Sequence, residues 1–295
     1  MTPLIIEAAL NGSTSKARNP NTPKSPEEIA DDALACLAAG AAIVHTHIED
    51  FESSGDAAVE EYMKGWTPVL AENPHAILYG TVANGRTPEE RFGHYRGLAK
   101  AGMRMGTIDP GSVNLAIHGE DGLPGSVSFV YRTSFKDIAA LVDLLTECRL
   151  GPSIAIYEPG FLRATLAYEK AGRLPAGAFV KFYFAGPYNF LDGRRSNVTF
   201  GLPPTGKALD AYQEMMDGSA LAWAASVLGG SVAATGIARA AIERGGHVRV
   251  GLEDYCGEDQ PTNTDLITEV VEIARAVGRP IATSDEAARI LDLPR

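Results

Sequence analysis

Residues 25–48 read SPEEIADDALACLAAGAAIVHTHI, a helix pattern that runs straight into a strand pattern. Ser25 is a hydroxyl N-cap, Pro26 stands at the first helical position, and Glu28 follows the cap by three residues, which makes a capping box. Glu27 and Glu28 also fall where the helix dipole favours negative charge. Apolar residues recur at helical spacing as far as Gly40, and Ala41–Ile48 is then an apolar run carrying His45 and His47. A helix leading directly into a strand is half of a βαβ unit.

The same grammar recurs along the chain. Apolar, often β-branched runs begin at Pro3, Ala41, His75, Met103, Pro152, Ala178, Leu221 and His247, with helical patterns between them. Thr87-Pro88-Glu89-Glu90 repeats the capping box. Eight alternating units predict an α/β fold of the (β/α)8 TIM barrel type rather than an open doubly wound sheet. The expected organisation is a single barrel domain over 1–295 with a C-terminal helical extension. No GxGxxG follows the first run, which argues against dinucleotide binding. Segments 116–135 and 186–206 break the rhythm, and because each follows a predicted strand, both should lie over the catalytic mouth.

Composition limits the partners. The formal net charge of -11, with 45% hydrophobic and 21% charged residues, argues against nucleic acid and against an anionic membrane surface. Cys36, Cys148 and Cys256 are few, odd in number and far apart, so they form neither a disulfide framework nor a CxxC knuckle. The N-terminus lacks a basic region and its apolar run is broken by Glu7, unlike a signal peptide. A cytoplasmic enzyme or binding protein is the expectation.

The chemistry concentrates at strand ends. His45 and His47 are two residues apart and so share a face; they are candidate metal ligands, or else hydrogen-bonded core histidines. A metal needs a third ligand. Glu253 and Asp254 close the eighth run, and the second and eighth strands of a barrel feed the same interior layers, so Glu253 can meet the histidine pair. Two histidines and one carboxylate suit zinc, and also other divalent metals such as iron(II). Arg249 lies four residues before Glu253, on the same face of the strand, and needs a carboxylate from the protein, Glu7 for instance, or from a substrate. Glu7 is either tied to an interior cation or a catalytic carboxylate. Glu158, at the end of the fifth run, is a further candidate for bonding substrate.

The stretches TPKSPEEIADDALACLAAGAAIVHTHI, YEPG, GGHVRVGLED and ARAVGRPIATSDEAARIL occur in order and at compatible spacings. Together they resemble the β-keto acid cleavage enzyme family almost end to end. The resemblance implies a zinc-bearing, generally oligomeric barrel that takes a small-molecule β-keto acid and acetyl-CoA to acetoacetate and a new acyl-CoA. It also implies residue roles: His45, His47 and Glu253 as metal ligands, Asp254 as catalytic aspartate, Arg249 as active-site arginine, and Thr81 and Thr107 near hydroxyl positions. Arg194 and Arg195 are either a solvated pair or a contact for a CoA phosphate.

Two departures stand out. Where the family carries a glutamate in the loop after the first strand, this chain has Ser13 and Thr14, and where an arginine often follows the second histidine, it has Glu49. The loop glutamate meets the amino group of the typical substrate, so its loss points to a substrate without a positive charge unless another carboxylate takes over. Two other classes compete: a metal-dependent hydrolase of the amidohydrolase kind, which would add histidines at later strand ends, and a non-catalytic barrel that binds a metal or acyl-CoA.

Overall fold

Each of the eight apolar runs holds a strand in the computed structural model, which describes residues 1–196 and 200–294. The strands and helices follow in the order β1 (Ile6–Ala9), α1 (Pro26–Ala39), β2 (Ile43–His45), α2 (Gly55–Glu72), β3 (Ile77–Tyr79), α3 (Pro88–Phe92), α4 (His94–Lys100) and β4 (Met105–Ile108). Next come β5 (Val113–His118), β6 (Pro124–Tyr131), α5 (Phe135–Cys148), β7 (Gly151–Ile156), α6 (Pro159–Lys170) and β8 (Phe179–Ala185). The chain ends with α7 (Gly206–Met215), β9 (Ala222–Leu228), α8 (Ile237–Glu243), β10 (His247–Val250), α9 (Asn263–Val277) and α10 (Ser284–Ile290).

The helices start where their caps dictate. Ser25 with Glu28 and Thr87 with Glu90 form the expected reciprocal boxes on α1 and α3. Ser134, Thr262 and Thr283 do the same for α5, α9 and α10, with aspartate or glutamate at the third position. The buried face of α1 is Ile29, Ala30, Ala33 and Cys36, at helical spacing. Burial pushes the Cys36 thiol well above its ordinary range, as befits a core thiol.

Eight strands form one parallel sheet in the order β3-β2-β1-β10-β9-β8-β7-β4, the cyclic order of a (β/α)8 barrel. Between β3 and β4 the Thr107 hydroxyl donates to the Gly80 carbonyl at 3.0 Å, bridging the seam. Register sets Glu7 beside Arg249, and Ala9, His45 and Tyr79 in a row across β1, β2 and β3. The C-terminal chain returns to the barrel's start, where Leu4 exchanges backbone bonds with Pro280 and Ala282.

Two details differ from the sequence reading. Segment 116–135 lies largely within an antiparallel hairpin of β5 and β6; β6 is exposed along most of its length and so does not read as a buried strand. The eighth barrel strand stops at Val250, and Gly251–Asp254 is a turn closed by the Asp254 N–H on the Gly251 carbonyl. Gly251 is needed there, since a Cβ would lie 2.1 Å from the Ala9 carbonyl oxygen. Residues 197–199 of segment 186–206 fall outside the described residues. Among the described residues no helix is long and apolar enough to cross a membrane.

Candidate active and metal site

The mouth of the barrel encloses a cavity of about 300 Å³ with His45, His47, Glu253, Arg249 and Lys181 among its lining. Leu115, Phe129 and Tyr131 of the hairpin and Phe190 and Leu191 of the loop after β8 also line it. Both irregular segments therefore cover the mouth, as their position after barrel strands predicts, and the Asn189 amide joins them by donating to the Ala116 carbonyl at 2.6 Å.

Three donors converge at the cavity floor. The Nε2 atoms of His45 and His47 are 3.1 Å apart, and each lies 3.4 Å from one oxygen of Glu253. The ligand atoms of these residues all fall within 4.8 Å of one another. His45 Nδ1 is 3.2 Å from the Tyr79 carbonyl, which only accepts, so Nδ1 carries the proton and Nε2 presents its lone pair. Burial holds the His45 imidazole well below its ordinary range and hence neutral. Burial alone would raise the Glu253 carboxyl, but the Arg249 guanidinium beside it holds it well below the usual range. Glu253 Oε2 is buried without a hydrogen-bond partner. Imidazole lone pairs and a carboxylate gathered this closely fit a divalent cation.

Beneath lies a buried charge network. Arg249 reaches Asp254 through Nε and Nη2, both at 2.9 Å, and reaches Glu253 and Glu7 at 2.9 Å. Glu7 Oε1 also accepts from Tyr79 at 2.6 Å and from Lys181 at 3.0 Å. Lys181 completes its three bonds on Tyr79 at 2.7 Å and Ser153 at 2.5 Å. Burial pushes Lys181 down, and it pushes the Asp254 carboxyl up against the pull of Arg249. For Glu7 the two cations overcome burial and lower the carboxyl. Two cations thus face three carboxylates in this network, with Asp109 a further carboxyl on the cavity lining.

The structure sorts the candidate residues. Thr81 and Thr107 line the cavity, although the Thr107 hydroxyl is engaged at the seam. Glu7 is fully buried below the floor and tied to interior cations. Asp254 sits behind Arg249 and accepts a further bond from Ser226 at 2.5 Å. Glu158 stands outside the cavity lining at the start of α6, accepting from the Gly201 N–H at 2.8 Å. Arg194 has a side chain 77% exposed beside Asp192, and Arg195 lies over the Tyr188 ring at 5.1 Å; neither lines the cavity. Arg249 and Glu253 do share a side, but through the turn after Val250 and not through strand alternation.

Sequence reasoning missed Lys181, Tyr79 and Asp109. Lys181 had a readable signal, a lone lysine in the apolar run AFVKFYFA, the counterpart of Glu7 in LIIEAAL. Asp109 is a buried cavity carboxyl bonded by the Tyr131 hydroxyl, and burial pushes it up. No third histidine lines the cavity among the described residues, so the feature an amidohydrolase-type site would add is missing.

A sequence model described as beta-keto acid cleavage enzyme matches residues 3–293. The chain is 28% identical over 305 residues to the 3-keto-5-aminohexanoate cleavage enzyme of Fusobacterium nucleatum subsp. nucleatum, covering 100% of both chains. It is 23% identical to the 3-oxoadipate:acetyl-CoA acetyltransferase of Cupriavidus necator, over 99% of this chain and 95% of that one. In fold it resembles the apo structure of ObcA, with a TM-score of 0.68 at 16% identity, over 94% of this chain and 66% of that one.

Proposed function

The chain belongs to the beta-keto acid cleavage enzyme family, and on that premise we propose that it converts a β-keto acid and acetyl-CoA to acetoacetate and a new acyl-CoA. His45, His47 and Glu253 would hold a divalent metal, zinc in the first instance. The observation that carries this reading is their convergence at the floor of the cavity, next to Arg249. The metal, when bound, supplies a Lewis acid for the charge that develops on the substrate's keto oxygen.

A proton leaves C2 of the keto acid, C2 bonds to the acetyl carbonyl carbon, and the CoA thiolate departs. The thiolate then attacks the substrate's own keto carbon, the C2–C3 bond breaks, and the acetoacetate carbanion takes back a proton. Asp254 is the base in this reading. It lies behind Arg249, outside the cavity lining, and a substrate carboxylate that paired with the guanidinium would take the place of Asp254 and free it to act. The Thr81 hydroxyl, on the cavity lining, would donate to substrate oxygen. Arg194 and Arg195, on the loop that covers the mouth, are the candidates for CoA phosphate.

The substrate's acyl end carries no charge. Lys181 and Arg249, the lysine and arginine that line the cavity among the described residues, are already ion-paired, so a second carboxylate meets no free cation, and the Asp109 carboxyl that an ammonium group would need is already bonded by the Tyr131 hydroxyl. Ser13 faces the cavity as a neutral residue, and Tyr157, Tyr183 and Phe190 give it an aromatic wall suited to apolar groups. Metal-loaded protein should be given acetyl-CoA with 3-oxoadipate, with 3-keto-5-aminohexanoate and with β-keto acids whose acyl end is uncharged, and acyl-CoA formation followed. The highest kcat/KM should fall on a substrate with an uncharged acyl end; a preference for either of the two with a charged acyl end would refute the selection argument.

A further inference from the structure

The sheet hydrogen bonding that holds β2 ends at His45, yet His47, two residues further on, must be held as firmly if both imidazoles are to serve one ion. The side chain of Asn11, just beyond β1 and 2% exposed, supplies that hold. Its Oδ1 accepts the His47 N–H at 2.9 Å and its Nδ2 donates to the His47 carbonyl at 3.0 Å, so the amide pairs with His47 as a neighbouring strand would. Oδ1 also accepts the Gly12 N–H at 2.9 Å, and Nδ2 also donates to the Pro23 carbonyl at 3.1 Å. Both donors and both lone pairs are therefore used, and a flipped amide would face each partner with the wrong atom.

The two neighbours of Asn11 touch the other two ligand residues. The Leu10 N–H donates to the His45 carbonyl at 3.0 Å. Gly12 packs so tightly on Glu253 that a Cβ would lie 2.3 Å from its Cγ, at a φ of +48 that itself favours glycine. One triplet thus contacts all three metal-ligating residues, each in a different way.

We propose that Leu10-Asn11-Gly12 is the element that sets the geometry of the metal site, with Asn11 the positioning residue for His47. The proposal rests on the metal-site reading above. Only an asparagine meets the requirement: aspartate lacks the two donors, serine does not reach, and glutamine displaces the amide by one methylene. Groups that orient a metal ligand are worth about 10–100-fold in metal affinity when removed.

The test measures zinc affinity by chelator competition, and thermal stability of the metal-free form, for wild type, Asn11→Asp, Asn11→Gln and Asn19→Ala. Asn19 is a fair control because it too is buried and grips loop backbone, donating to the Pro261 carbonyl at 2.9 Å, with no bond to a ligand residue. Both Asn11 variants should weaken zinc binding by about 10–100-fold, while Asn19→Ala lowers stability but leaves affinity within about threefold. Asn11→Asp keeps both accepted bonds and is the variant expected to fold. Wild-type zinc affinity in a folded Asn11 variant would overturn the proposal, as would equal weakening by Asn19→Ala. A wild-type protein that binds no divalent metal would overturn it together with the metal reading, and so is told apart from failure of the Asn11 assignment alone.

Discussion

Replacing Glu7 with glutamine removes one charge from the barrel interior and leaves the shape almost unchanged. Glu7 is 0% exposed, and one of its oxygens accepts from Lys181, Arg249 and Tyr79 at 3.0, 2.9 and 2.6 Å. Arg249 keeps Asp254 and Glu253 as counter-charges, but Lys181 keeps only neutral partners: Tyr79, Ser153 and the new amide oxygen. Removing one partner of a buried pair costs about 3–5 kcal/mol, so Glu7→Gln should lose about that much stability near neutral pH in urea unfolding followed by far-UV circular dichroism. The pH dependence has a definite sign. Burial already lowers Lys181, and without Glu7 the folded form gives up that proton more readily than the unfolded chain does. The unfolded state then binds more protons, so the deficit shrinks as pH rises toward the ordinary lysine range. Adding Lys181→Met should recover part of the loss. Stability within about 1 kcal/mol of wild type, far below the loss expected for an unpaired buried charge, would refute the argument. Combined with a large fall in kcat, that result would make Glu7 a catalytic carboxylate instead.

His47→Ala should lower bound metal, measured by elemental analysis, far more than His118→Ala on the covering hairpin; equal occupancy would count against the ligand assignment. Asp254→Asn should keep the metal and cut kcat by roughly 10²–10⁴-fold, and a metal-loaded variant turning over at the wild-type rate would remove Asp254 from the chemistry. Asp32, bonded by Asn263 at 2.6 Å, has its carboxyl pushed up by burial to about 6. The folded form therefore holds a proton that the unfolded chain releases, and the resulting penalty is present at pH 8 and relieved as pH falls through 6 toward the unfolded value. Asp32→Asn should raise stability at pH 8 by about 1–3 kcal/mol and flatten the profile between those limits; no gain at pH 8 would contradict the burial argument.

The barrel was legible because each unit carries its own local signals. The Ser25 and Thr87 boxes and the apolar runs act over a few residues, and they survive into the fold almost unchanged. The convergence of His45, His47 and Glu253 was legible in the same way: HxH is a two-residue pattern, and the adjacency of barrel strands two, one and eight brings Glu253 to it. What escaped was long-range pairing. Lys181 and Glu7 are 174 residues apart, and only barrel closure makes them partners. The β5–β6 hairpin was hidden because β6 faces solvent along most of its length, so its short apolar stretch carries no sign of a core strand. Asp254 and Glu253 were read on a strand that in fact ends at Val250, because the close approach of Gly251 to Ala9 depends on a neighbour that no local pattern reveals.

The central claim is that the acetyl group of acetyl-CoA leaves in acetoacetate while the acyl group of the keto acid leaves on CoA. Acetyl-CoA carrying carbon-13 in its acetyl group, incubated with metal-loaded protein and a β-keto acid whose acyl end is uncharged, tests it directly by mass spectrometry of both products. All of the label should appear in acetoacetate, and the new acyl-CoA should carry none. Label retained in the new CoA thioester, or released as acetate without acetoacetate, would contradict the account.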